Sequence, residues 1–138
     1  MRHVIIAALL ATPALAEAQA SLAIEFVLTK PVAGGLLRVA LCPGAGAYAK
    51  EQGCMTRTVE ANGASVQVGF GDLAPGRYAI KAYHDINGNG RLDTNWMGMP
   101  KEPYGFGNDA MGAFGPPSYE QAAVPVEGRT AVTVRMKD

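Results

Sequence analysis

From Ser21 the chain alternates apolar and polar positions with a period of two. Leu22, Ile24, Phe26 and Leu28 fall on one side and Glu25 on the other, the spacing of a strand with one buried face. Leu37, Val39 and Leu41 repeat the pattern after Gly34-Gly35. Met55 to Ala61 reads as a third strand, and Asn62-Gly63 is a hairpin signal leading into Val66, Val68 and Phe70. Tyr78, Ile80, Ala82 and His84 then share one face of a further strand. Val124 to Val126 contains Pro125 and reads as an edge strand, because proline has no N–H to give to a ladder. Val132, Val134 and Met136 close the pattern. Short strands separated by turn signals, with no long amphipathic helix among them, predict an all-β fold: a single antiparallel β-sandwich. Leu73-Ala74-Pro75-Gly76-Arg77-Tyr78 adds a Pro-Gly turn followed by a tyrosine corner, which makes Tyr78 a structural residue.

Between Asp85 and Tyr119 the alternation stops. The segment holds Gly88, Gly90, Gly98, Pro100, Pro103, Gly105, Gly107, Gly112, Gly115, Pro116 and Pro117, yet also Trp96, Tyr104, Phe106, Phe114 and Tyr119. A disordered linker would lack those aromatic groups, and irregular segments of such length are uncommon in compact domains unless functional. An ordered Gly/Pro-rich loop across one end or face of the sandwich is expected.

The N-terminus changes the compartment. Arg2 and His3 precede an apolar run from Val4 to Leu15, and Ala14-Leu15-Ala16 and Ala18-Gln19-Ala20 are both small-x-small cleavage sites. These features predict a signal peptide over residues 1–20 and a mature domain over 21–138, periplasmic or secreted. The run is too short to span a bilayer, and no later one is longer, so no membrane span is expected. No cysteine stands at either cleavage site, which argues against a lipid anchor. Cys42 and Cys54 are the two cysteines, and in an oxidising compartment they are expected to pair. Lys and Arg balance Asp and Glu at 12 each, leaving no electrostatic reason to expect nucleic acid.

The candidate chemistry lies in Asp85-Ile86-Asn87-Gly88-Asn89-Gly90-Arg91-Leu92-Asp93. Asp85, Asn87, Asn89 and Asp93 occupy positions 1, 3, 5 and 9 of a calcium-type loop, Arg91 would offer its carbonyl at position 7, and Gly90 stands at the turn position 6. Position 12 is Trp96 instead of a bidentate Glu, and no helices flank the loop, so this is not an EF-hand. Glu102 is the carboxylate available to complete a Ca²⁺ site. With so few charges such a site would bind in the ~10⁻⁴–10⁻³ M range of extracellular modules. The alternative is an Asn/Gly-rich turn closed by Asx-type bonds with no ion.

The blocks Leu73 to Tyr78, His84 to Asn95, Gly98-Met99-Pro100-Lys101-Glu102-Pro103-Tyr104-Gly105-Phe106 and Gly115-Pro116-Pro117-Ser118-Tyr119 resemble the DUF2141 family of exported bacterial proteins of unknown function. The resemblance covers nearly all of the chain after residue 20. It implies a signal peptide followed by an immunoglobulin- or transthyretin-like sandwich, and no known activity, so no catalytic residue is carried over. The cysteine pair lies outside the family pattern.

Two functional classes follow. One is a non-catalytic envelope module, binding or structural, that uses the long segment as its surface, with His84, Trp96, Tyr104 and Tyr119 as candidate contacts for a sugar or peptide; Tyr104 and Phe106, set between glycines, are better read as packing, which leaves Trp96 the leading contact. The other is an envelope hydrolase or metal-handling protein built on His84, Asp85 and Glu102. It lacks a nucleophile or oxyanion signature, and Ser118 has no Gly-x-Ser-x-Gly context. Met97, Met99 and Met111 would suit Cu(I) in principle, but packing is the simpler role. Gly44-Ala45-Gly46 is no nucleotide loop and is expected to be a flexible part of the disulfide loop.

Overall fold

The structure is a computed structural model and describes residues 4–11 and 19–138. Residues 4–11 form neither strand nor helix and are exposed. Residues 1–3 and 12–18 of the expected signal segment, including Ala14-Leu15-Ala16 and Ala18, lie outside the described residues.

Among the described residues eight strands form: β1 (Ala20–Val27), β2 (Leu36–Cys42), β3 (Met55–Glu60), β4 (Ser65–Leu73), β5 (Gly76–Asp85), β6 (Tyr104–Phe106), β7 (Ala123–Val126) and β8 (Arg129–Arg135). Two short α-helices, α1 (Ala45–Lys50) and α2 (Tyr119–Ala122), and a 3-10 turn at Gly107–Asp109 accompany them. One sheet has the order β4-β1-β8; the other runs β3-β2-β5-β6, with β7 also paired to β5. The two sheets pack through the alternation seen in the sequence, burying Leu22, Ile24 and Phe26 against Leu37, Val39, Leu41 and Ile80. Such apolar burial is the main favourable term in folding, worth about 1.5–3 kcal/mol per large side chain.

Two features depart from the simple antiparallel reading. β8 pairs with β1 in parallel, Ser21 opposite Arg129 through Val27 opposite Arg135. The turn at Glu127-Gly128 carries the chain from β7 in one sheet to β8 in the other, and Ser21 N donates to Gly128 O at 2.7 Å, so β1 and β8 start from the same end. Asn62-Gly63 does make a turn, with Gly63 at φ +81°, but not a hairpin. β3 pairs with β2 and β4 with β1, so the turn is an arch between sheets. Ala61 N bonds Gly35 O and Leu28 N bonds Ala64 O, one anchor on each side of the arch.

The tyrosine corner forms as expected: Tyr78 is buried and its hydroxyl donates to Ala74 O at 2.6 Å. Tyr78→Phe keeps the ring and loses only this bond, and should lower the unfolding free energy by about 1 kcal/mol in urea denaturation. No change would show the hydroxyl to be replaceable by water.

The cysteines form the disulfide Cys42–Cys54, with Cα atoms 4.4 Å apart. The loop it closes is not irregular throughout, because α1 fills it. Tyr48 of α1 is buried beside Cys42 and Ala79, and its hydroxyl donates to Pro117 O at 2.7 Å. This bond ties the disulfide loop to the far end of the long segment.

Candidate functional site

β5 alternates to its end, so Tyr78, Ile80, Ala82 and His84 face the sandwich interior while Lys81, Tyr83 and Asp85 face outward. Asp85, the last residue of β5, is nevertheless fully buried. Its cover comes from β2 and from the loop it opens. Arg38, opposite Tyr83 in the β2–β5 ladder, donates from Nε to Asp85 Oδ2 at 2.7 Å. Asn89 N and Gly90 N donate to the two oxygens of the same carboxylate at 3.2 and 2.9 Å. Burial alone would push the Asp85 carboxyl up, but Arg38 and these backbone N–H groups outweigh it and hold the pKa below the ordinary value.

The rest of the loop closes on itself. Asn87 Oδ1 accepts from Asn89 N and Asn89 Oδ1 from Arg91 N, two successive Asx turns. The amide groups of Asn87 and Asn89 donate to Asp93 at 2.6 and 2.7 Å. These bonds lower the Asp93 pKa. Gly90 sits at φ +82°, the left-handed turn that position 6 requires.

Glu102, buried like Asp85, spans the loop from the other side. It accepts from Ile86 N at 2.7 Å and from Asp93 N at 3.0 Å, clamping the first and last turns together. Sixteen residues separate Ile86 from Glu102, so this is a tertiary brace. Gly35 supports the base of the loop: a Cβ there would lie 2.6 Å from Asp85 O and 2.7 Å from the Ile86 Cα. Only glycine fits.

The expected cation ligands thus converge: Asp85, Asn87, Asn89 and Asp93 form one loop and Glu102 closes it. Their oxygens are engaged with N–H groups, and the countercharge at Asp85 is Arg38. Among the described residues no three His, Cys, Asp or Glu side chains stand in metal-binding proximity. Arg38 went unnoticed in the sequence, where only its outward position on β2 marks it; its partner lies 47 residues away.

Beyond the loop the chain forms a tight protrusion. Lys101 N bonds Asp93 O, Asn95 N bonds Met99 O, and Gly98 N bonds Asn95 O. Asn95 Oδ1 accepts from both Met97 N and Met99 N at 2.9 and 3.0 Å. Its tip bears Trp96, 93% exposed, with Met97 and Met99 also exposed. Beside its base an open depression of about 470 Å³ is lined by Ile86, Asn87, Asp93, Thr94, Lys101 and Glu102.

The remaining candidates are placed differently. His84 is buried on the interior face, its Nε2 paired with Gly34 O, on the opposite side of β5 from Asp85 and without a bond to either carboxylate. Tyr104 and Phe106 are half-buried and stack edge-on at 6.1 Å. Tyr119 is half-buried, donates to Arg77 O at 2.9 Å and packs edge-on against Tyr48. Of the four candidate contacts, only Trp96 is exposed.

The comparison with protein families bears on this segment directly, because residues 31–134 match the model described as an uncharacterized protein conserved in bacteria, DUF2141. The chain belongs to the DUF2141 family. The match takes in β2, the braced loop, the Trp96 protrusion and β8 up to Val134. No curated protein and no solved structure matches the chain.

Proposed function

We propose that this DUF2141 protein is an exported, non-catalytic binding module whose contact surface is the segment between β5 and α2, centred on Trp96. The observation that carries this reading is the distribution of exposed apolar groups. Within residues 19–138, Trp96, Met97, Met99, Met111 and Phe114 all lie on that segment, and Val32 is the sole large apolar side chain exposed elsewhere. Scattered exposed apolar residues need no explanation, but a concentration on one braced element marks an interaction site. An exposed indole gives a flat face for a sugar ring or an apolar peptide side chain. The adjoining depression supplies hydrogen-bonding groups from Asn87, Asp93, Thr94 and Lys101.

The same geometry favours binding over hydrolysis. His84 is on the wrong face of β5 to work with Asp85, and Asp85 and Glu102 are committed to backbone N–H groups. It also favours a loop that closes without calcium, since the Arg38 guanidinium already neutralises Asp85.

Trp96 is the single tryptophan, so its fluorescence reports this surface alone. In the free protein its emission should be red-shifted and readily quenched by acrylamide. Titration with chito-oligosaccharides and with unstructured peptides should shift the emission for one class, and Trp96→Ala should abolish binding by calorimetry while leaving the melting temperature unchanged. A shielded indole in the free protein, or ligand binding unaffected by Trp96→Ala, would contradict the proposal.

Export is supported by the apolar, exposed residues 4–11 and by the disulfide. Of the two cleavage sites, the earlier suits the fold better, because Ala20 is buried and begins β1. The intact mass of the exported protein should therefore correspond to a chain starting at Glu17. A start at Ser21 would show that β1 tolerates loss of its first residue.

A further inference from the structure

The sandwich has free sheet edges, and one of them is unprotected. Exposed strand edges are normally blunted by charge, proline or a covering element. β3 carries Arg57 and Glu60, the short β6 is bridged at Tyr104 by the backbone of Lys137, β7 carries Pro125, and the edge of β8 is partly covered where Asp109 accepts from the Arg135 backbone N–H and guanidinium. β4 is an end strand with β1 as its one neighbour among the described residues. From Ala61 to Gly71 the chain has no charged residue and no proline.

β4 also contains a glycine that its own fold does not call for, Gly69; its other glycine, Gly71, stands in the β1–β4 irregularity between Phe70 and Leu73. Gly69 lies on the solvent side of the strand, has no positive φ, and a Cβ there would meet nothing within 4 Å. Glycine inside a strand weakens it, and where no internal crowding demands it, it marks a close approach by another backbone or side chain.

We propose that β4 is a homodimer interface, in which the strand pairs antiparallel with β4 of a second copy about a two-fold axis at Val68. The strand is self-complementary in that register. Val68 meets its own mate, and Gln67 falls opposite the partner's Gly69, so each long side chain faces an open position. On the inner face Val66, half-buried in one copy, falls opposite the partner's Phe70, a β-branched and aromatic pair of the kind that stabilises sheets. No like charges meet across the axis. The symmetry is isologous, and the product is a continuous sheet ordered β8-β1-β4-β4-β1-β8. The pairing ends where Asp72 adopts φ +52° at the irregularity in the β1–β4 register.

A single strand pair buries less than a standard interface, so the dimer should dissociate in the micromolar range or weaker. Sedimentation equilibrium of the purified protein should show a monomer–dimer equilibrium. Gly69→Lys, which has open space for its side chain, should set a charge against each copy of the axis and yield a monomer with the wild-type melting temperature. Gln67→Lys, at an exposed position, should do the same and serves as the check if Gly69→Lys folds poorly. Trp96→Ser should leave the dimer intact, which separates this interface from the ligand surface. A wild-type protein that stays monomeric to about 1 mM, roughly −4 kcal/mol of association, or lysine variants that dimerise as tightly as wild type, would overturn the proposal.

Discussion

Asp85→Ala is expected to lower the unfolding free energy by roughly 2–3 kcal/mol, a large share of the stability of a domain this size. The substitution removes one partner of an ion pair whose carboxylate is fully buried, and it deprives Asn89 N and Gly90 N of their acceptor. Both bonds are part-buried, and a donor that loses its acceptor there costs more than the net worth of the bond itself. The same group sets the acid limit of stability. Its folded pKa lies below the unfolded value of about 3.9, so its contribution is complete above that pH and is lost as the pH falls through the folded value. Asp93 acts in the same direction. Urea unfolding across pH should therefore show a plateau above about pH 4–5 and a decline below it. Asp85→Asn should lower the plateau and flatten the decline. A stability that falls equally steeply with acid in wild type and Asp85→Asn would assign the acid limit to other groups.

Removing the disulfide is the second large effect. The Cys42–Cys54 bond closes a short loop, 12 residues in sequence separation, and in the chain-entropy model this stabilises the fold by roughly 3 kcal/mol through the unfolded state. Cys42→Ala with Cys54→Ala should lose about that amount. A native-state consequence adds to it: α1 lies inside the loop, and Tyr48 carries the bond to Pro117 that fixes the far end of the binding segment. Wild type measured with reductant should match the double variant, and reductant should leave the double variant unchanged. Equal stability of all three would show that packing of Tyr48 alone holds the loop.

Much of the frame was legible because it depends on local periodicity. Leu22, Ile24 and Phe26 bury as their spacing predicts, and Tyr78 makes its corner bond four residues back. The density of glycine, proline and aromatic residues after Asp85 also announced an ordered surface segment. What the chain did not disclose depends on partners distant in sequence. The same Asn62-Gly63 turn can join neighbouring strands or arch between sheets, and only the pairing of β3 with β2 and β4 with β1 decides. β8 has the alternation of any strand, which says nothing of its parallel direction. At the site, the spacing of Asp85, Asn87, Asn89 and Asp93 revealed a loop with converging oxygens but not what those oxygens meet. Arg38 and the span of Glu102 across the loop decide that, and neither leaves a local signal. His84 follows Tyr78, Ile80 and Ala82 inward by the same alternation that turns Asp85 outward, so adjacency in sequence placed the two on opposite faces.

Asp85 and Glu102 brace the loop beneath Trp96 through its backbone N–H groups, and the function proposed above has them do so with no metal ion. Native-state amide hydrogen exchange reads those groups one by one. In chelator, the amides of Ile86, Asn89, Gly90 and Asp93 should be protected well above the exposed amides of the Trp96 tip, calcium at millimolar concentration should leave their rates unchanged, and Glu102→Gln should release Ile86 and Asp93 selectively. Unprotected loop amides in chelator that become protected when calcium is added would contradict the account and make the loop a cation site.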